Sequence, residues 1–571
     1  MRRHCFAAVC FLLLSAFCSS QLSAQDWDGG WHPPVQLTFN SGSSRKLEQV
    51  NGDCDWVVWD KTIVVAKDGT VANNNPTCKP TVGRTTTKFD VLGDDIGSSF
   101  EHDGKLVFLF GDTIGATSGK GSSRPYYPNW ISFANEYLFN AGDPIAYSWT
   151  QRPEQGLLLD FFPSPTVSTL PLLVQPVYPP TSTFSQCVPG STVHMGGDDV
   201  PNAGISLNGQ MYIFVNTNAD TSAQFAWLNA CSILVKFNEA TSTFTAGRKI
   251  SQGYYPLPEN DNPPLTVAPP DPSSAGHFVF TSLHEFPAGF GNWGPGAWEP
   301  SPLPGGFWQP AVLIYGEGQP GGKSSGTSVY LSIIPVDDFW SGVDYQGNSA
   351  TRYFAGFKDG HPTWSEHESD SVPVVYDNPN NVPVPAGPPG YADPGTVSNM
   401  SVVYSQDLRL WLMTYHGGKQ PGPNEAATEG IYFSYSTTPW GPWATPQLIF
   451  NACRDQGFGN FIFYYFDPKK PSDNTCPAAV TGNANYSGPR GPTIGDQTQN
   501  DPATTIGNPY APFMIERFTE VQGDTLKIYY TMSTWNPYAI VKMESDFKIA
   551  PTAPWFPFWD HDHDNDHDHD H

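Results

Sequence analysis

Two aspartates on either side of one tight turn are the residues best placed to do chemistry. The chain reads Asp94-Asp95-Ile96-Gly97-Ser98-Ser99, turns at Asp103-Gly104, and returns through Leu109-Phe110-Gly111-Asp112-Thr113. Asp-Gly between apolar runs is a strong hairpin signal, because both central turn positions take positive φ. A two-residue turn sets His102 against Lys105, and counting outward brings Asp95 opposite Asp112. Directly opposed residues on one face have Cβ atoms about 4.5–5.5 Å apart. Two carboxyls held that close suit glycosidic cleavage: one protonates the leaving oxygen while the other assists attack at the anomeric carbon. Mutual repulsion raises one pKa and keeps that acid protonated. The same spacing also suits two solvated loop acids, or a bulge that breaks the register.

A second hairpin echoes the first. Gly197-Asp198-Asp199-Val200-Pro201 parallels Gly93-Asp94-Asp95-Ile96-Gly97, and the same count from Asn208-Gly209 sets Asp199 opposite Asn218. Asp199 is a candidate for holding a sugar hydroxyl or tuning a neighbour, or is a plain turn residue. Glu317 and His416 stand just past strand-like runs, and Glu516 lies inside one, where a charge needs a reason. Each is a candidate substrate contact, or a polar residue facing water. Trp293, Trp298 and Trp308 occupy a Gly/Pro-rich stretch from which rings can stack on sugars or anchor loops. The sequence carries no P-loop, GxSxG, HExxH, EF-hand or CxxC pattern, so no cofactor or metal is expected.

The elements that position these residues are strands. Five hairpin-like units recur: Ile96–Glu101 with Lys105–Phe110; Gly204–Leu207 with Gln210–Val215; Ala311–Tyr315 with Ser328–Ile334; Ser398–Tyr404 with Leu410–Tyr415 and Ile431–Ser436; and Phe513–Phe518 with Leu526–Met532 and Ala539–Met543. In the first, Ile96, Phe100, Val107 and Leu109 fall on one face and Leu106, Phe108 and Phe110 on the other. A small sheet apolar on both faces must be sandwiched between neighbours. Five such sheets predict an all-β, five-bladed β-propeller with an N-terminal extension and long Pro-rich loops. A β-sandwich is the structural alternative. The 56 prolines and 54 glycines agree with short strands and many turns.

The ends of the chain speak to compartment. Arg2-Arg3, an apolar run from Cys5 to Phe17 and a small-residue stretch ending at Ala24 read as a secretory leader, too short to span a membrane. The expected division is leader 1–24, extension 25–87, propeller 88–558 and a polar His/Asp tail 559–571. The tail reads as solvated chain, or as a transition-metal trap. Three cysteines leave with the leader and six remain, an even number that suggests disulfides in an exported, secreted or periplasmic protein. Short loops favour Cys54–Cys78 and Cys453–Cys476, leaving Cys187–Cys231, among 15 arithmetically possible connectivities. A formal charge of −26 repels phosphate backbones and anionic lipid, which argues against nucleic-acid and membrane partners. A neutral polysaccharide is not repelled.

At these residues the chain resembles a bacterial propeller family, long catalogued as a domain of unknown function, with members recognised as endo-D-arabinanases. The resemblance runs in order through Asp95-Ile96-Gly97, Phe110-Gly111-Asp112-Thr113, Val200-Pro201, Asn208-Gly209-Gln210-Met211-Tyr212 and Val329-Tyr330-Leu331. It continues through Met400-Ser401-Val402, Trp411-Leu412-Met413-Thr414-Tyr415, Thr438-Pro439-Trp440-Gly441-Pro442-Trp443, Tyr510-Ala511-Pro512-Phe513 and Ser533-Thr534-Trp535-Asn536-Pro537-Tyr538. It implies a five-bladed propeller cleaving internal α-linked D-arabinofuranosyl bonds, with essential aspartates at Asp95 and Asp112. Asp95 is expected as base or nucleophile and Asp112 as general acid, with the roles open to exchange. Asp199, Glu317, His416, Glu516, Trp535 and Asn536 are expected to contact substrate. The long Pro-rich insertions, the N-terminal extension and the His/Asp tail depart from the family pattern. The alternative function is a non-catalytic polysaccharide-binding propeller of the cell envelope.

Overall fold

The computed structural model describes residues 35–56, 64–65, 71–72, 78–111, 113–115, 143–164, 171–174, 176–177, 200–218, 229–252, 276–286, 310–317, 328–358, 361–375, 397–418, 429–455, 457, 461–462, 508–535 and 538–551. The fold is all-β, a five-bladed propeller. Blade 1 orders Ile96–His102, Lys105–Phe110, Ile145–Ser148 and Asp160–Phe161 from the axis outward. Blade 2 runs Pro201–Leu207, Gln210–Asn218, Asn229–Asn238, Thr243–Gln252, with Pro176–Val177 added in parallel at its rim. Blade 3 runs Phe280–Phe286, Ala311–Glu317, Val329–Pro335, Arg352–Lys358 and His361–Ser365. Blade 4 runs Val397–Ser405, Leu410–Gly417, Gly430–Ser436 and Gln447–Phe450. Blade 5 runs Asn508–Met514, Thr525–Trp535 and Ala539–Pro551.

The outer edge of blade 5 comes from the other end of the chain. Val35–Phe39 and Arg45–Gln49 both pair antiparallel with Ala539–Pro551. Residues expected as an extension therefore complete the last sheet and close the ring. The pairing also covers an edge that would otherwise present unpaired backbone groups.

Burial follows from the two-sided apolar patterning. Val107 and Leu109 of blade 1 pack with Met211, Ile213 and Val215 of blade 2. Leu106, Phe108 and Phe110, on the opposite face, pack with Tyr529 and Ile540 of blade 5. Three further clusters fill the remaining blade interfaces. Each blade is too thin to hide both faces alone, and the ring hides both at once.

The inner strands of successive blades lie side by side around the axis. Four of them slip by one residue near their start: between Ile96 and Ser98, Pro201 and Ala203, Ser398 and Ser401, and Tyr510 and Phe513. Positive φ marks three of these bulges, at Ile96 (66°) with Gly97 (74°), Asn399 (50°) and Ala511 (51°). The strand Phe280–Phe286 of blade 3 keeps one register throughout.

Glu516 is corrected here. The fifth inner strand stops at Met514, and Glu516–Phe518 forms a single 3₁₀ turn. No helix among the described residues is long and apolar enough to cross a membrane. The strands bearing Cys54 and Cys78 pair with each other, and Cys453 is disulfide-bonded. The leader, the His/Asp tail, Cys187, Cys476 and the three loop tryptophans lie outside the described residues.

Candidate active site

The upper end of the ring, where the inner strands begin, gathers acids on blade 1. The bulge at Gly97 overturns the register count from the turn. His102 does face Lys105, but past the slip Ile96 pairs with Phe110. The next row joins Asp95 to Gly111, whose N–H donates to the Asp95 carbonyl at 3.1 Å. Asp95 is thus not directly opposite Asp112, because a bulge adds one residue to one strand only. Asp112 lies outside the described residues, as do Asp199 and Asn536. The same slip in blade 2 joins Val200 to Asn216 through the Asn216 N–H at 3.1 Å.

Hydroxyls of blade 5 hold the bulge. Thr531 Oγ1 donates to the Gly97 carbonyl at 2.8 Å and Ser533 Oγ to the Ile96 carbonyl at 3.4 Å. An isoleucine at positive φ is strained, and such strain persists only where surrounding contacts enforce it. Beneath it, Ile96, Val200, Val279, Phe280, Ala511 and Phe513 form a small apolar plug near the axis.

Asp95 is half-buried above this plug, and Tyr510 Oη of blade 5 donates to its Oδ2 at 3.0 Å. A donor to a carboxylate favours the charged form. The Asp95 carboxylate reaches over Gly111: a Cβ there would stand 2.3 Å from Asp95 Oδ1 and 2.8 Å from Ile96 Cγ1. Glycine is therefore required by close approach.

Two further acids surround Asp95. Asp94 is fully buried, and Thr113 Oγ1 lies 2.6 Å from its Oδ1 and 3.0 Å from the Gly111 carbonyl. Burial, with a smaller contribution from the Asp95 charge, lifts its carboxyl to about 8 against the Thr113 hydrogen bond. Asp94 is therefore mostly neutral at pH 7. Through Thr113 it clasps the chain on both sides of Asp112. Asp143, 3% exposed, precedes the third strand of blade 1. The register Leu109 to Ile145, continued by the Phe110 N–H donating to the Pro144 carbonyl, sets Asp143 beside Gly111. Burial and then the Asp95 charge push the Asp143 carboxyl well above its ordinary range.

The other expected contacts divide by place. Glu317 ends the second strand of blade 3 at this same upper end, but it is fully buried, and its Oε2 accepts the Asn399 N–H at 2.8 Å. It anchors a bulge of blade 4. His416, also at this end, lies 3.4 Å from Glu429 Oε1 through Nε2. Trp535 ends its strand opposite Asn508. Glu516 sits at the far end of the inner strands, roughly 20 Å of extended chain from Asp95. It lines a cavity of about 340 Å³ with Glu101, Ser206, His284, Glu285 and Arg517. Its carboxyl is raised to about 7 by enclosure, then by the Glu101 charge, although half its side-chain surface stays open. Also at the lower end, His102, Asp103 and Glu239 group as potential metal ligands. There His102 Nε2 already lies 2.7 Å from Glu239 Oε1.

Sequence reasoning missed Asp143, Asp94 as a buried clasp, and the role of Tyr510. The signal for Asp143 was available: an acid just before the apolar run Ile145-Ala146, as Asp95 stands just before Ile96.

The sequence matches the family described as "Domain of unknown function (DUF4185)" over residues 81–544. The chain belongs to the DUF4185 family. No curated protein matches it. Among solved structures, this DUF4185 chain is similar to the endo-1,5-α-L-arabinanase of Thermotoga petrophila RKU-1 at 11% identity and TM-score 0.32, covering 81% of this chain and 74% of that one. It is also similar to the α-L-arabinofuranosidase PaAbf62A of Podospora anserina at 9% identity and TM-score 0.31, covering 82% and 95%. Likeness this distant carries no functional weight.

Proposed function

We propose that this DUF4185 protein is an exported glycoside hydrolase that cleaves arabinofuranosyl bonds within a D-arabinan, using Asp95 and Asp112. One observation carries the reading: Asp95 stands at the mouth of the ring on an enforced bulge, fixed by Tyr510 and ringed by acids with no cation among the described groups that bear on them. Stabilising a fold does not call for buried, unneutralised carboxyls in one place. Perturbed acids clustered at a mouth are the mark of acid–base work.

In this reading Asp95 is the ionised partner, since Tyr510 donates to it. Asp112 gives its proton to the glycosidic oxygen as the bond to the anomeric carbon breaks. Asp95 either takes a proton from the water that adds there or adds itself. The order of sequence motifs resembling endo-D-arabinanases supports the sugar, and the acidic chain suits a neutral polymer over a polyanion.

Incubation with purified D-arabinan and, separately, L-arabinan tests the proposal by product analysis. Oligosaccharides released from D-arabinan are the expected result. Retention of either polymer without any release would leave a binding protein.

A further inference from the structure

Asp143 was not among the residues that the sequence singled out, yet it shares a row with Asp95. Reading across blade 1, the row is Asp95, Gly111, Asp143. The first link is the Gly111 N–H to Asp95 carbonyl bond. The second is the register running from Ser148–Leu106 to Ile145–Leu109. Side chains in one row of adjacent strands point to the same face. The middle position has no side chain, and the Asp95 carboxylate fills the space a Cβ would take. The two acids therefore approach each other over a bare glycine.

Asp143 is too enclosed to touch a polymer. Its Oδ1 has no hydrogen-bond partner among the described residues. Among those residues, Asp95 is the charged group whose field acts on it. Among the described residues, Asp94 and Tyr510 also bear on Asp95. None of these brings a positive charge. Two ionised carboxylates in so dry a row are disfavoured, so the pair holds one charge over the neutral range. The better-hydrated member, fixed by Tyr510, keeps it.

We propose that Asp143 is a positioning residue: it stays protonated beside Asp95, confines the pair's single negative charge to Asp95, and by ionising sets the alkaline limit of turnover. Ionisation would drive the two carboxylates apart and take Asp95 out of place, and misplacement on the order of 1 Å costs about a hundredfold in rate. The kinetic half of this proposal rests on the hydrolase reading; the charge-sharing half does not.

Infrared titration of protonated carboxyls, as the difference between the native protein and Asp143→Asn, tests the charge. A carboxyl still protonated at neutral pH is expected. In an Asp95→Asn background the same signal should titrate lower by about one pH unit or more. A signal ionised at neutral pH, or a midpoint indifferent to Asp95→Asn, overturns the proposal without any substrate. On a D-arabinan that the native protein cleaves, Asp143→Asn should keep kcat/KM near pH 6 within about threefold and move the alkaline limb upward. A pH–rate profile that superimposes on the native one refutes the positioning role while leaving the hydrolase intact. Absence of cleavage by the native protein refutes the hydrolase and leaves the infrared result standing.

Discussion

The two ends of the inner strands are both acidic, but they hold their acids differently. At the lower end, Glu101 is gripped by Arg517, whose Nε donates at 2.6 Å, and Glu516 keeps half its surface open to the cavity. At the upper end, Asp94 and Asp143 are buried with no base among the described residues to neutralise them, and Asp95 leans on a tyrosine. The lower end follows the ordinary rule that charge is paired or wet. The upper end breaks it and carries the strained bulge at Ile96 as well. Violations gathered in one place, against a well-satisfied counterpart, are what a functional site is expected to display.

The largest expected effect concerns Asp94. Its midpoint is raised from 3.8 to about 8. The stability associated with its protonated form is fully present below about pH 4 and is lost as pH rises toward 8. Asp94→Asn, neutral at every pH, should unfold like the native protein at pH 4 and be more stable at pH 7 by an amount on the order of 4 kcal/mol. Urea unfolding at the two pH values checks it. Equal stability at pH 7 would erase the contrast between the ends.

Gly111→Ala comes next. A Cβ at 2.3 Å from Asp95 Oδ1 and 2.9 Å from Val200 Cγ1 must displace both. The expectation is a loss of about a hundredfold in kcat, with about 1–3 kcal/mol of stability lost to overpacking. Tyr510→Phe is milder. Removing one hydrogen bond to a charged group should lower kcat about tenfold and leave thermal unfolding nearly unchanged.

The blades were legible in the sequence because alternation of apolar residues on both faces of a hairpin has one economical solution, and Leu106 to Phe110 display it. The turns at Asp103-Gly104 and Asn208-Gly209 read correctly, as the pairs His102–Lys105 and Leu207–Gln210 demonstrate. The register near the mouth did not. A bulge leaves almost no trace when the residue at positive φ is Ile96, and Gly97 was the single hint. Glu516 misled because Ile515 and Phe518 continue an apolar pattern past the end of the strand. Closure by Val35–Phe39 was open because pairing across some 500 residues has no local signature.

The central claim is that chemistry belongs to the upper end and not to the lower. Initial rates of Asp95→Asn and Glu516→Gln, measured side by side on the substrate the native protein cleaves, test it most directly. Asp95→Asn should lose about 10³-fold or more, and Glu516→Gln should stay within about twofold of native. Full activity in Asp95→Asn, or a collapse in Glu516→Gln with the fold intact, would contradict it.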